Sequence, residues 1–196
     1  MGNNINLQSA KNSKDDEFYT TYDTIESELS HYTKHFCNKV VLCNCDDPFE
    51  SNFCKFFLRN FNKLKIKRLI CTSYYASKIE YTQMPLIANG RICSTNGCGY
   101  VLDTEKFCEE EDISDDIISE HLSTPGVIQA LKGDGDFRSP ECIKYLSQSD
   151  IIVTNPPFSL FKELVSLLMK YHKSFLLSGN QNALTYKEIF PLIQNN

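Results

Sequence analysis

The chain has 196 residues, 41% of them hydrophobic, and a formal net charge of −5. That size suits one domain with a proper core, and no apolar run approaches the roughly 20 residues that span a bilayer. The polar start Met1-Gly-Asn-Asn is not a signal peptide, and an odd count of nine cysteines points to reduced thiols, so the cytoplasm is the expected compartment.

Residues 1–15 are polar and aperiodic and are expected to form a flexible tail. Glu17-Phe-Tyr-Thr20 reads as a hydrophobic staple ahead of a helix that starts near Asp23, with Glu26 closing a capping box. Ile25, Leu29, Tyr32 and Phe36 give that helix one apolar stripe. Lys39-Val-Val-Leu-Cys43 is the first buried strand, Asn44-Cys-Asp-Asp-Pro48 its turn, and a second helix follows with Phe49, Phe53, Phe56 and Phe57 inward. Strand, turn and helix open a Rossmann-like unit, yet the turn has no glycine. Its Asp46 and Asp47 would repel a phosphate and could pair with an amino group. Asp47 before Pro48 also suits a helix N-cap.

Lys67-Arg-Leu-Ile-Cys71 is the second strand. It runs into Thr72-Ser-Tyr-Tyr75, whose hydroxyls could take ribose hydroxyls and whose Tyr74 or Tyr75 could lie against a flat base. Residues 76–132 read as an excursion from the sheet edge. They carry short strands at Tyr81–Ile87 and Gly99–Leu102, Asn-Gly turns, and an acidic run leading into a helix through His121. Pro85 demotes the first of these to an edge strand at best. Gly133-Asp-Gly-Asp-Phe137 by itself is a turn, and Ser139-Pro140 caps a helix over Ile143 and Leu146.

Asp150-Ile-Ile-Val-Thr-Asn-Pro-Pro-Phe158 carries the chemistry. A buried strand stops at a rigid loop, and a helix follows with Leu160, Leu164, Leu167 and Leu168 on its buried face and Phe161 beside it. Two prolines fix the loop's φ angles and restrict the residues before them. An exocyclic amine could therefore donate one hydrogen to the Asn155 side-chain oxygen and another to the Pro156 carbonyl, which makes its nitrogen a better nucleophile. Phe158 could stack on the ring. Ser174-Phe-Leu-Leu177 is the next strand, Gly179–Asn182 its loop, and Thr185-Tyr-Lys-Glu188 a capping box for a last helix.

Asn155-Pro-Pro-Phe158 resembles the catalytic motif of amino-methyltransferases acting on adenine N6 or cytosine N4. With Asp16-Glu-Phe-Tyr-Thr20, Val41–Pro48, Gly133–Ser139 and Gly179–Phe190 around it, the chain resembles the EcoRI-type family of adenine-specific DNA methyltransferases. The resemblance implies an α/β, Rossmann-like sheet with helices on both faces, incomplete at its C-terminal end, as one S-adenosyl-L-methionine-binding catalytic domain over 16–196. It implies catalytic residues Asn155, Pro156, Pro157 and Phe158. It implies a cofactor site of Phe18, Tyr19, Thr20, Asn44, Cys45, Asp46, Asp47, Asp136 and Phe137, with Asp136 accepting from the cofactor's adenine amine and Phe137 flanking its face. It further implies that a target-recognition part follows such a catalytic half, so DNA would be reached through a part absent here or a separate chain.

The scattered lysines and arginines fit that expectation, since a duplex grip needs a basic stripe. A sheet lacking its last strands would leave an edge open to self-association. Cys43-Asn-Cys45 and Cys93-x₄-Cys98 lack zinc-ribbon spacing, so no metal is expected. The alternatives are a non-catalytic fragment that binds S-adenosylmethionine or a partner, and amino-methylation of cytosine N4, RNA or a protein glutamine.

Overall fold

A computed structural model describes residues 20–74, 86–88, 91–93, 98–107, 110, 113–187, 189–190 and 194. The expected tail over 1–15, together with Phe18, Tyr19, Tyr75 and Glu188, lies outside the described residues. The strands are β1 (Val40–Asn44), β2 (Arg68–Ser73), β3 (Leu86–Ala88), β4 (Arg91–Cys93), β5 (Tyr100–Thr104), β6 (Ile128–Ala130), β7 (Ile151–Thr154) and β8 (Ser174–Leu177). The helices are α1 (Tyr22–Leu29), α2 (Thr33–Phe36), α3 (Asn52–Arg59), α4 (Asp115–Ser123), α5 (Pro140–Gln148) and α6 (Phe161–Lys170).

Six strands form one mixed sheet in the order β6-β5-β2-β1-β7-β8. β1, β2, β7 and β8 are parallel, β5 runs antiparallel to β2, and β6 runs antiparallel to β5. β3 and β4 pair as a separate antiparallel hairpin. Side chains alternate along each strand, so the sheet needs cover on both faces. Val41 and Cys43 of β1 pack with α1, α3 and α4, while Val40 and Leu42 pack with α5 and α6. This is the expected α/β architecture.

The order of the strands places the crevice. From β1 the chain passes through α3 to β2 on one side, and from β7 it passes through α6 to β8 on the other. The carboxyl ends of β1 and β7 therefore flank a topological switch point, where open α/β sheets bind ligands. At the opposite, amino ends of the same two strands Asp150 pins the register: its N–H donates to the Val40 carbonyl and its carboxylate accepts from the Val40 N–H at 2.8 Å.

Several expectations are corrected. α1 begins at Tyr22, near Asp23 as expected, but its N-cap is Thr21, whose hydroxyl accepts from the Thr24 N–H, so Asp23 and Glu26 do not form the capping box. Its stripe is buried as expected at Ile25, Leu29 and Phe36, but a 3₁₀ turn over Ser30–Tyr32 breaks the helix. α3 begins only at Asn52, because the Ser51 hydroxyl takes the Phe53 and Cys54 N–H groups. Phe49 thus stays in the turn and is 38% exposed, while Phe53, Phe56 and Phe57 are buried. The excursion over 76–132 also does more than hang from an edge. Residues 100–104 and 128–130 extend the main sheet beyond β2 as β5 and β6. Thr185 ends a 3₁₀ turn over Gln181–Thr185 whose N-cap is Asn180. Among the described residues no helix is long and apolar enough to cross a membrane.

Candidate active site

β7 delivers the Asn-Pro-Pro-Phe loop to the crevice. Its four residues are buried, and it stops where Pro156 and Pro157 can make no ladder bonds. Pro156 is buried, whereas Asn155, Pro157 and Phe158 are half-buried. Phe158–Leu160 form a 3₁₀ turn, with the Leu160 N–H donating to the Pro157 carbonyl at 3.0 Å, and α6 follows directly. The Ser178 N–H donates to the Thr154 carbonyl and ties the β8 exit to the same place.

Thr154, the last residue of β7, is fully buried. Its hydroxyl lies between the Asn44 main-chain carbonyl and the Asp46 carboxylate, in hydrogen-bond contact with both. The other Asp46 oxygen accepts from the Ser51 hydroxyl at 2.7 Å, and Ser51 is the N-cap of α3. Asp46 thereby fastens the ends of β1 and β7 to the start of α3. A buried carboxylate needs such donors.

Asp47 is not the N-cap of α3. Its carboxylate accepts from the Phe49 N–H at 2.9 Å and from the Tyr100 hydroxyl, and so holds the turn against β5. Cys45 stands where a glycine was missed. Its φ is +77°, in the left-handed region, and its N–H donates to the Thr72 carbonyl at 3.1 Å.

Asn44 and Thr72 are register partners at the ends of β1 and β2. The Asn44 side-chain oxygen and the Thr72 hydroxyl are both buried with no hydrogen-bond partner among the described residues. Two such atoms side by side at a sheet's carboxyl end invite a ligand that supplies the missing bonds. Thr20 reaches the same rim: its carbonyl accepts from the Asn52 amide at 2.9 Å, and its hydroxyl lies 3.4 Å from that of Ser178. Tyr74, just beyond β2, is 47% exposed.

The 133–137 loop is pressed onto this rim. The Gly99 N–H donates to the Gly133 carbonyl, and the Leu131 N–H to the Gly99 carbonyl, extending the β5–β6 ladder. Gly135 has φ +83°, and a Cβ there would sit 2.0 Å from the Ser73 carbonyl oxygen. Only glycine permits that approach. Next to it, Phe137 is buried in the core with Val101 and Leu131. Asp136 is gripped by Arg138, Oδ1 accepting from Nε at 2.9 Å and Oδ2 from Nη2 at 2.5 Å. That ion pair holds the Asp136 carboxyl below the usual carboxylate range. Phe161 is 6% exposed, and Gly179 leaves room for its ring, so it packs as core.

The chain therefore gathers Thr20, Asn44, Cys45, Asp46, Asp47, Asp136 and Asn155–Phe158 around one crevice; Phe137 reaches it through the core. Thr154, Ser178 and Arg138 were not singled out. A threonine ending a β-branched run reads as strand, Ser178 carries no motif, and Arg138 reads only as part of the Gly133–Ser139 stretch. Among the described residues no three His, Cys, Asp or Glu side chains converge as a metal site.

The family described as adenine-specific methyltransferase EcoRI matches residues 6–196. The Type II methyltransferase M.EcoRI of Escherichia coli is 45% identical over 97% of this chain and 53% of its own length. M.MpnI of Mycoplasma pneumoniae is 37% identical over 94% of this chain and 47% of its own. M.MgeORF184P of Mycoplasma genitalium is 35% identical over 95% and 48%. The chain thus spans about half the length of these curated relatives. No solved structure matches it. A match over nearly its whole length makes this chain a member of the adenine-specific EcoRI methyltransferase family.

Proposed function

We propose that this chain is the donor-binding and catalytic portion of a site-specific DNA methyltransferase of restriction-modification type. It would methylate adenine N6 in double-stranded DNA with S-adenosyl-L-methionine as donor. The observation that carries the reading is the meeting of Asn155-Pro-Pro-Phe158 with the ends of β1 and β2, where the Asn44 oxygen and the Thr72 hydroxyl lack partners among the described residues. An amide oxygen and a hydroxyl suit the hydroxyls and ammonium group of such a donor, whereas the carboxylates beside them would repel a diphosphate. Asn44, Thr72, Thr20 and Asp136 would hold it. It supplies an electrophilic methyl group.

The target adenine would be flipped from the duplex at a cost of about a few kcal/mol. Phe158 would stack on it, and the Asn155 oxygen and Pro156 carbonyl would accept the two hydrogens of its amine. No general base is needed beforehand, since the nitrogen acquires its surplus proton only as the new bond forms. Positioning supplies most of the rate.

The test is transfer of labelled methyl groups to DNA by a full-length relative with and without Asn155→Ala. A loss of about 100-fold or more is expected, the scale for removing one positioned hydrogen-bonding group at a reacting centre. Full transfer by the variant would refute the assignment. A panel with cytosine N4, RNA and protein glutamine acceptors separates the other amino and amide substrates that the same loop could serve.

The half-length match favours a second reading of this chain on its own. It would bind the donor but need a recognition part, or another chain docked on the β8 edge, before it modifies DNA. A net charge of −5 accords with that. Calorimetry would then show donor binding while no methyl enters DNA. Light scattering would show whether the β8 edge pairs two copies.

A further inference from the structure

We infer that Arg138 is a positioning residue that links donor binding to the catalytic loop. The inference rests on the reading of Asp136 as the acceptor for the donor's adenine amine. Arg138 uses both edges of its guanidinium. On one side it forms the fork to Asp136, and its own backbone N–H also reaches Asp136 Oδ1 at 2.8 Å. On the other side, Nη1 donates to Glu163 Oε2 at 2.6 Å. Glu163 sits in the first turn of α6, the helix that Phe158–Leu160 feed into.

One side chain thus ties the loop pressed against β2 to the helix that leaves the catalytic loop. Among the described residues this is the one ionic link between those two segments.

Lone-pair counting shows what the fork leaves open. A carboxylate has about four acceptor positions. Oδ1 takes two N–H groups from Arg138 at close range, while Oδ2 takes Nη2 closely and Nε only at 3.2 Å. Oδ2 keeps a position for one more donor, with the direction of the carboxylate plane fixed by the fork. Half-exposed ion pairs add little to stability, and Arg138 and Glu163 are both about half exposed. The link therefore acts through geometry. A lysine could reach one carboxylate but could not fork one while holding the other.

The test uses the native chain, which contains no tryptophan. A Phe158→Trp substitution then gives a single reporter in the catalytic loop. S-adenosylmethionine binding is measured by calorimetry and by that fluorescence. Arg138→Gln should weaken binding about tenfold, the scale of one charge-assisted hydrogen bond. Arg138→Lys should recover only part of this. Glu163→Gln should keep donor affinity within about threefold but remove the donor-induced change of the reporter, with melting temperatures of all variants close to native. If the reporter chain binds no donor, the donor site itself is refuted and this link falls with it. If it binds and Arg138→Gln binds equally well, the positioning role alone is refuted. If Glu163→Gln retains the full fluorescence change, the coupling to α6 is refuted.

Discussion

The loop over 133–137 can be challenged by one methyl group. In Gly135→Ala the added Cβ would lie 2.0 Å from the Ser73 carbonyl oxygen, 3.0 Å from the Ser73 carbonyl carbon and 3.3 Å from the Gly99 Cα. A carbon and an oxygen need about 3 Å, so backbone must separate by about 1 Å on a rim where β2, β5 and the loop are hydrogen-bonded together. Overpacking of this kind costs about 1–3 kcal/mol. The φ of +83° adds about 1–2 kcal/mol for a residue with a Cβ. The sum, about 2–5 kcal/mol, corresponds to a melting temperature lower by roughly 5–15 °C for a domain of this size.

Two neighbours serve as controls. A Cβ at Gly126 meets nothing within 4 Å but carries a φ of +90°, so Gly126→Ala should show the backbone cost alone. A Cβ at Gly133 also meets nothing within 4 Å and has no such φ, so Gly133→Ala should stay within about 0.5 kcal/mol of native. Calorimetric melting of the three variants checks the order. A Gly135→Ala chain that melts within about 2 °C of Gly126→Ala would refute the close approach of loop and strand.

Thr154→Val tests the fastening of the catalytic strand. Valine matches threonine in shape and suits a buried strand, yet the change strips the Asn44 carbonyl and Asp46 of a buried donor. The expected loss is about 1–3 kcal/mol in urea unfolding, and a neutral or stabilised variant would refute the network. His121 gives a pH signature. Its ring is half-buried, edge-on to Phe107 at 4.4 Å, and burial lowers its pKa below the ordinary 6.5. As pH falls through about 6.5, the unfolded chain takes up this proton before the folded one does, so stability drops until the folded pKa is passed. His121→Phe should therefore lose less stability than native between about pH 7.5 and 5.5, measured as unfolding midpoints. Equal slopes would show that His121 does not titrate between the two states.

The buried parallel strands were legible because both their faces meet core. Unbroken apolar runs located β1, β2 and β7 within about two residues, and Ser174–Leu177 is β8 as read. β5 and β6 were harder to place. Gly99–Leu102 reads as a short strand, but nothing in its residues says that it pairs with β2 rather than with its neighbours in the chain. Phe49 was misplaced because its spacing to Phe53 mimics a helical turn, and the Ser51 cap that ends that pattern acts through hydrogen bonds to backbone. Asn155–Phe158 was legible as the loop that ends β7, because two prolines there can make no ladder bonds. Its fastening was not. Asp46, Thr154 and Arg138 act through contacts between segments far apart in sequence.

Those contacts explain how a turn without glycine serves at the head of a Rossmann-like unit. A glycine-rich turn is useful because it leaves backbone N–H groups pointing at a phosphate. Here most of the N–H groups are already taken. Cys45 gives its own to Thr72, Phe49 to the Asp47 carboxylate, Glu50 and Ser51 to the Asp47 carbonyl, and Phe53 and Cys54 to the Ser51 hydroxyl. Cys45 bears a left-handed φ that costs a residue with a side chain about 1–2 kcal/mol. The Cys45 N–H bond and the threefold hold of Asp46 on the surrounding elements oppose its relaxation. The result is a turn that is rigid, acidic and closed to anions. A diphosphate would find few donors there and two carboxylates. A ligand with a cationic centre, hydroxyls and an amine would find the Asn44 oxygen, the Thr72 hydroxyl and the open position on Asp136 instead.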